Sequence, residues 1–149
     1  MYTEEYYMEV FYMDIIKIYD FPGEAECIPY LEQDPECGQY IDTLLAETVG
    51  KVMVDMKTKT LVGYVFVYDK GDNEGFIFNL FVFPEYRGHH LGKMLAKYAV
   101  CALGGRDLTV GKDNDEAIHI YEDLGFKIVG DGNTPDEYYM KLDEEVFIC

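Results

Sequence analysis

The hydrophobic pattern of this chain changes period at Pro84, and that change restricts the fold more than any other feature. The segment before the proline, FIFNLFVF, is rich in aromatic and branched residues and predicts a central strand. Beyond the proline, four apolar residues recur at helical spacing: Leu91, Leu95, Tyr98 and Ala99. Gly104 and Gly105 end this predicted helix. A strand therefore leads through one short turn directly into a helix.

The segments on either side of this unit extend the pattern. KVMVDM and LVGYVFVYD, joined by a polar turn at residues 57–60, predict a hairpin before the central strand. After the helix we expect a strand at RDLTVG, a helix at NDEAIHIYEDLGF and a closing antiparallel pair at FKIVG and EYYMKL. This order predicts an α+β fold, in which a mixed, mostly antiparallel sheet carries helices on its faces.

Residues 1–48 follow this pattern less closely. The segment from Tyr6 to Tyr19 is apolar at nearly every position, so a strand and a buried helix both stay open there. Gln39 to Glu47, QYIDTLLAE, predicts a short helix. The chain has 149 residues, 49% of them hydrophobic, with no apolar run that could span a membrane. We therefore expect residues 1–149 to form a single domain.

The net charge of the chain bears on its partners. Twelve Lys and Arg against 29 Asp and Glu give −17, which argues against a general nucleic-acid binder and favours a cationic or amine-bearing partner. The N-terminus, MYTEEYYMEV, is acidic where a secretory signal peptide needs basic residues. We expect an acidic cytoplasmic protein, monomeric or homodimeric, with no nucleic-acid or membrane partner.

The cysteines and histidines match no metal-binding spacing, so we expect no bound metal. His89 and His119 are expected to face solvent. The four cysteines are expected to be free thiols in a reducing cytoplasm: Cys27, Cys37, Cys101 and Cys149.

The basic residues are unevenly distributed. Residues 86–106, here called the basic segment, contain no Asp or Glu and four cations, namely Arg87, Lys93, Lys97 and Arg106. The other 128 residues carry 8 basic and 29 acidic side chains, a formal charge of −21. An acidic protein with one basic segment is expected to use it against an anion, although a helix with a solvated outer face would give the same charges.

The turn from Arg87 to Gly92, inside the basic segment, is the expected binding site for this anion. Small residues let the backbone approach a ligand, and the first N–H groups of the following helix have no partner within the helix. Arg87 and Lys93 add full positive charges to the helix dipole, so phosphate is the expected ligand. The spacing matches neither a dinucleotide-binding fingerprint nor a P-loop.

Three blocks in this order resemble the GNAT superfamily of N-acyltransferases, which use acyl-coenzyme A. The segment from Leu80 to Gly92, LFVFPEYRGHHLG, is similar to the family's pyrophosphate-binding R/Q-x-x-G-x-G/A signature. Asn114 with Ala117 and Tyr121 is the second block, and YEDLGF from Tyr121 onward the third. The resemblance runs from about residue 52 to residue 142. It implies a sheet that splays open in its middle, with helices on both faces.

The resemblance also implies site residues. A bulge in the central strand would expose backbone groups of Phe81 and Val82 to the pantetheine arm and to the acyl carbonyl. Tyr121 would protonate the departing thiolate, although a tyrosine at helical spacing is by itself more often a core residue. Asn114 would bind the coenzyme, cap its helix, or do both. The pyrophosphate would lie on seven consecutive residues: Arg87, Gly88, His89, His90, Leu91, Gly92 and Lys93.

Two positions depart from the family pattern. His90 stands where the signature usually has its first glycine, which would strain the backbone if that position needs a positive φ. Asn79 stands just before Leu80, where relatives often carry an acid, and an amide cannot act as a general base. Glu74 is a conceivable substitute that is expected to be solvated. We therefore expect the proton to leave through water guided by Asn79 or by backbone carbonyls.

The resemblance implies transfer of an acetyl group from acetyl-coenzyme A to a primary amine of a small molecule or protein. Five acids within residues 1–48 would attract a cationic acceptor or would only keep the protein soluble: Glu24, Glu26, Glu32, Asp34 and Glu36. The alternative is a non-catalytic module that binds acyl-coenzyme A, or an acidic surface that mimics nucleic acid. The sequence leaves the acceptor open.

Overall fold

The computed structural model describes residues 15–68, 74–145 and 149. These residues form one seven-stranded sheet with the strand order β1-β2-β3-β4-β5-β7-β6. The strands are β1 (Ile16–Phe21), β2 (Thr48–Asp55), β3 (Thr60–Tyr68), β4 (Gly75–Val82), β5 (Gly105–Gly111), β6 (Phe126–Asp131) and β7 (Glu137–Leu142).

Five α-helices connect the strands within the described residues. Three short ones lie between β1 and β2, one follows β4 and one follows β5. They are α1 (Ile28–Leu31), α2 (Pro35–Gln39), α3 (Ile41–Glu47), α4 (Leu91–Cys101) and α5 (Asp115–Asp123). Short 3-10 turns precede α1 at Ala25–Cys27 and α4 at Pro84–Tyr86. The predicted helix at residues 39–47 is present as α3, although its Tyr40 and Leu45 are exposed.

Strand pairing confirms the predicted mixed sheet. Strands β1 to β4 form an antiparallel meander, and β7 pairs antiparallel with both β5 and β6. Only β4 and β5 run parallel, because α4 carries the chain back between them. The sequence left the structure of the apolar segment from Tyr6 to Tyr19 open, and the last part of that segment belongs to the edge strand β1. Residues 6–14 of that segment lie outside the described part of the chain.

Two apolar clusters cover the two faces of the sheet, as predicted. Alternation along β3 sends Val65 and Val67 to one face and Tyr64 and Phe66 to the other. The first cluster, on the face of α4 and α5, includes Leu95 of α4. The second cluster covers the face of the three short helices, with buried residues from each of them: Leu31, Cys37 and Leu44.

The expectation of four free thiols is wrong for two cysteines. Cys101, at the end of α4, forms a disulfide with Cys149, which is 48 residues further along the chain. The Cα atoms of the two residues are 5.5 Å apart, within the range that a disulfide spans. Cys27 and Cys37 are free and buried, and burial raises their pKa to about 11 and about 12.

No helix in the described ranges is both long and apolar enough to cross a bilayer. The same ranges contain no group of three or more His, Cys, Asp or Glu side chains arranged to hold a metal ion.

A buried hydroxyl–carboxylate contact ties the short helices to the sheet. Tyr64 of β3 donates a 2.6 Å hydrogen bond to Asp34, which is only 9% exposed and caps α2 through the N–H of Glu36. Burial, and then this hydrogen bond, raise the pKa of Tyr64, so the hydroxyl keeps its proton and donates it. The contact therefore fixes α2 over the face that carries the second cluster.

Replacing Tyr64 by Phe is expected to lower the free energy of unfolding by about 1–3 kcal/mol, because Asp34 stays buried without its strongest donor. Urea unfolding followed by circular dichroism measures the change. Tyr68→Phe is the matched control on the same strand, since the Tyr68 hydroxyl has no hydrogen-bond partner among the described residues. Its effect should stay within roughly 0.5 kcal/mol. Equal effects of the two variants would contradict this account.

Candidate active site

A β-bulge interrupts the pairing of β4 with β3. Val65 pairs with Leu80 and Val67 pairs with Ile77, so Phe78 and Asn79 together lie opposite Phe66. Asn79 has φ of 72°, in the left-handed region, which asparagine tolerates better than most residues. The extra residue reverses the alternation of the strand beyond it. The bulge that the family resemblance implied is thus present, centred just before Leu80.

Beyond the bulge, β4 separates from β5. The parallel register ends at the pair Ile77 and Leu108, and β4 continues to Val82 without further pairing to β5. The gap is a cleft of about 350 Å³. Its lining comes from α2, β4, β5, α5 and β7: Glu36, Ile77, Phe78, Asn79, Leu80, Thr109, Val110, Gly111, Asn114, Ala117, Tyr121 and Glu137.

The register decides which backbone groups of β4 face this cleft. The N–H of Phe83 donates to the carbonyl of Val62 at 2.9 Å, so Phe81 also points its backbone groups toward β3. Leu80 and Val82 then point theirs toward the cleft. In this register Leu80, and not the predicted Phe81, presents open backbone groups to the cleft together with Val82. The Val82 carbonyl already accepts a 2.9 Å hydrogen bond from Arg87 Nε.

The turn from β4 into α4 has the left-handed geometry that strains a histidine. Gly88 has φ of 85° and His90, the N-cap of α4, has φ of 63°. The first helical bond runs from the Met94 N–H to the His90 carbonyl. The N–H groups of Leu91 and Gly92 precede this bond and have no partner within the helix. The turn thus offers backbone donors at the positive end of the helix dipole.

The side chains of this turn differ in exposure. Arg87 is exposed and lies over the Phe81 ring at 5.3 Å. Leu91 is buried in the first cluster and Lys93 is half-buried. The expectation that His89 faces solvent is wrong, since His89 is half-buried, whereas His119 is exposed and lies 3.4 Å from Asp123.

His90→Gly is expected to raise the free energy of unfolding by about 1 kcal/mol, because glycine adopts positive φ without the Cβ clash. Guanidinium unfolding measures the gain. Gly88→Ala is the converse test. A Cβ at Gly88 would have no atom within 4 Å, so its expected loss of about 1 kcal/mol comes from the backbone alone. A destabilised His90→Gly variant would count against strain at this position.

A hydrogen bond from Tyr86 anchors the start of the turn. Tyr86 of the 3-10 turn donates to Asp55 Oδ2 at 3.0 Å, and Asp55 Oδ1 accepts from the N–H groups of Lys57 and Thr58. Asp55 is 6% exposed. Burial alone would raise its pKa, but these hydrogen bonds outweigh burial and lower the pKa. One carboxylate therefore joins the β2–β3 hairpin to the segment that enters α4.

The contribution of Asp55 to stability is expected to depend on pH. Its pKa is lower in the folded protein than the value of about 3.9 in an unfolded chain, so the contribution is complete above that value. It is lost as the pH falls through the folded pKa. Asp55→Asn should therefore cost about 1–2 kcal/mol at pH 7 and less below about pH 3. Denaturant unfolding at both pH values measures the difference.

Asp136→Asn is the matched control for this experiment, because Asp136 is exposed. Tyr86→Phe removes the same hydrogen bond from the other side and should cost a similar amount at pH 7. A loss in Asp55→Asn that does not change with pH would refute the assigned role of the carboxylate.

Tyr121 of α5 reaches the cleft from the first cluster. It is 6% exposed, and its ring packs edge-on against Phe126 at 5.6 Å. Burial raises its pKa, so the hydroxyl stays protonated at neutral pH. No residue in the described part of the chain hydrogen-bonds to that hydroxyl. Asn114 caps α5 by accepting from the Ala117 N–H at 3.2 Å, and it also lines the cleft.

Two carboxylates, Glu36 and Glu137, line the cleft. Glu36 is one of the five acids predicted either to attract a cationic acceptor or to keep the protein soluble, whereas Glu137 was not considered from the sequence. The signal for Glu137 is strand alternation, since its neighbour Tyr138 packs into the first cluster and Glu137 must face the other way. Glu74, the conceivable base, is exposed and does not line the cleft.

The amino-acid sequence is similar to known acetyltransferases over part of its length. The family model described as "Acetyltransferase (GNAT) family" matches residues 12–126. A peptidyl-lysine N-acetyltransferase of Salmonella typhimurium is 35% identical over 57 residues, which are 38% of this chain and 39% of that protein. A spermidine N(1)-acetyltransferase of Escherichia coli is 40% identical over 60 residues, 36% of this chain and 32% of that protein. The matches span about a third to two fifths of these curated relatives.

A solved structure shows the same fold over most of the chain. The ribosomal-protein-S18-alanine N-acetyltransferase of Escherichia coli superposes with a TM-score of 0.67 at 18% identity. The superposition covers 91% of this chain and 96% of that one.

Proposed function

Because this chain belongs to the GNAT acetyltransferase family, we propose that it transfers an acetyl group from acetyl-coenzyme A to a primary amine. The observation that carries the proposal is the cleft at the β4 bulge. The buried residue Tyr121, whose hydroxyl is protonated at neutral pH, lines this cleft, where β4 beyond Ile77 no longer pairs with β5. Such an opening provides donors for a ligand that lies along β4 as an additional strand would.

The residues present fit acetyl-coenzyme A. Donors at the start of α4, with the positive charges of Arg87 and Lys93, suit its pyrophosphate. Backbone groups of Leu80 and Val82 suit the amides of the pantetheine arm, and Asn114 lies where it can reach the same arm. We propose this set, with His89 and His90 supplying turn geometry, as the coenzyme site. Acetyl-coenzyme A supplies the thioester that the acceptor attacks.

In the proposed reaction the neutral amine nitrogen attacks the acetyl carbonyl, forming a C–N bond. A backbone N–H of Leu80 or Val82 stabilises the resulting oxyanion. The C–S bond then breaks, and Tyr121 gives its proton to the leaving thiolate. The surplus proton on the nitrogen passes to water ordered by Asn79, whose amide cannot itself accept it. Tyr121 regains its proton from solvent, so protons balance over one turnover.

The acceptor is not fixed by family membership. According to their names, the relatives act on peptidyl-lysine, on spermidine and on an alanine of ribosomal protein S18. All three are amines, which supports the reaction class and no more specific acceptor. We also propose that residues 1–149 act as one domain, since the described strands form one sheet. The cytoplasmic location stays a prediction from the acidic N-terminus and does not depend on the sheet.

Two measurements test the proposed function. Calorimetric titration measures binding of acetyl-coenzyme A, and thiol release measures transfer to a panel of primary amines. Binding together with transfer supports the proposal. Binding without transfer across the panel would favour the alternative, a non-catalytic acyl-coenzyme A module, and the absence of binding would exclude both.

Tyr121→Phe is expected to lower kcat by roughly 10- to 100-fold, because the leaving thiolate loses its proton donor. The dissociation constant of acetyl-coenzyme A should change little, since the ring and its packing against Phe126 remain. Stopped-flow turnover and calorimetry measure the two quantities separately. Tyr139→Phe removes a hydroxyl bonded to Asp107 outside the cleft lining and is the control. Unchanged turnover in Tyr121→Phe would reduce Tyr121 to a packing role.

A further inference from the structure

The Arg87 side chain folds back onto the end of β4. Its Nε donates a 2.9 Å hydrogen bond to the Val82 carbonyl, and its guanidinium carbon lies 5.3 Å from the centre of the Phe81 ring. The 3-10 turn Pro84–Tyr86 brings Arg87 to this place, and the Arg87 N–H donates to the Pro84 carbonyl at 3.3 Å. Two contacts therefore fix the direction of a side chain that is otherwise exposed.

The Val82 carbonyl needs this donor because no strand supplies one. Val82 lies opposite Gly63 of β3 in a pair whose backbone groups point away from that strand, and β4 has no pairing with β5 beyond Ile77. Val82 is only 8% exposed. A buried carbonyl without a partner costs free energy, so the Arg87 Nε takes the place that an N–H group of β5 would have.

The peptide group between Val82 and Phe83 is thereby held from both sides. Its N–H, which belongs to Phe83, donates to the Val62 carbonyl of β3 at 2.9 Å, and its carbonyl accepts from Arg87. Fixing this peptide group limits the rotation of the Val82 backbone, whose own N–H also points away from β3. With its carbonyl occupied, Val82 offers that N–H to a ligand.

The guanidinium is turned toward the strand and not toward the start of α4. Phe81, which the guanidinium covers, packs against the second cluster, whereas α4 packs into the first cluster through Leu91 and Leu95. The charge of Arg87 adds to the positive field of the basic segment, but its directed contacts are with β4.

We propose that Arg87 is a positioning residue, which supports acetyl transfer by holding the backbone of Val82 through the hydrogen bond from Nε to the carbonyl. This inference rests on the proposed function and assigns Arg87 a directed role at the strand in place of a direct contact with phosphate. The place of the donor on the side chain then matters more than its charge. Glutamine carries Nε2 on its Cδ atom, as arginine carries Nε, whereas lysine has a methylene there and places its ammonium one bond further out.

Two variants therefore separate the donor from the charge. Arg87→Gln keeps an N–H donor at the same distance from the backbone, and Arg87→Lys keeps the charge. At saturating acetyl-coenzyme A, kcat is expected to fall roughly twofold in Arg87→Gln and roughly tenfold in Arg87→Lys, because the loss of one hydrogen bond disturbs the Val82 backbone. Thiol release with an amine acceptor measures kcat. The reverse order, which a phosphate ligand requires, or equal losses in both variants would overturn the inference.

Hydrogen exchange tests the same bond without turnover. The Phe83 amide belongs to the peptide group that Arg87 holds, so its exchange in the free protein, followed by NMR, should be roughly tenfold faster in Arg87→Lys and change less in Arg87→Gln. The Val65 amide, in the middle of β3, is the internal reference. An equal acceleration at Val65 would indicate general destabilisation and would contradict the assigned role.

Lys141→Gln is the matched control, because it removes an exposed cation outside the cleft lining. It should change neither kcat nor the exchange of the Phe83 amide. Failure of transfer to every amine would overturn the proposed function, and the role of Arg87 in transfer with it, whereas exchange would still decide whether Arg87 holds the strand. Unchanged Phe83 exchange in Arg87→Lys would overturn this inference alone, even where transfer is observed.

Discussion

The site depends on the single extra residue in β4. The bulge at Phe78 and Asn79 turns the backbone of Leu80 and Val82 away from β3, and it coincides with the point where β4 leaves β5. Close contact with β3 holds the strand beyond the bulge. A Cβ at Gly63 would lie 2.6 Å from the Phe81 carbonyl, so only glycine lets the two backbones approach there. The cleft, the open backbone groups of Leu80 and Val82, and the direction of β4 beyond the bulge therefore have one local cause, the extra residue in β4.

The charge distribution follows the same geometry. The basic segment supplies the turn and α4 that follow β4, whereas Glu36 and Glu137 line the cleft itself. A net charge of −17 therefore does not describe the site. The positively charged turn and the two cleft carboxylates come from different elements of the fold, so the two signs of charge are separated in the structure.

Most of the fold was predictable from the sequence because it rests on local periodicity. The hairpins, α4 and α5 each have a regular pattern that packing then reinforces. The bulge was implied by the family resemblance and not by periodicity, because one asparagine in the strand FIFNLFVF is a weak signal. The Cys101–Cys149 pair joins the end of α4 to a residue 48 positions further along the chain, and the two meet only after folding. The cleft carboxylates likewise come from α2 and β7, which are distant in sequence and adjacent only through the sheet order.

The backbone strain at the site indicates how it is prepared for a ligand. Asn79 and His90 both have left-handed φ without being glycine, and they bound the segment proposed to hold the coenzyme. Such conformations persist only where surrounding structure imposes them. Pairing with β3 on both sides of the bulge imposes the first, and burial of Leu91 and Leu95 at the start of α4 imposes the second. The free-energy cost of these two backbone conformations therefore belongs to folding, and ligand binding does not have to order the segment again.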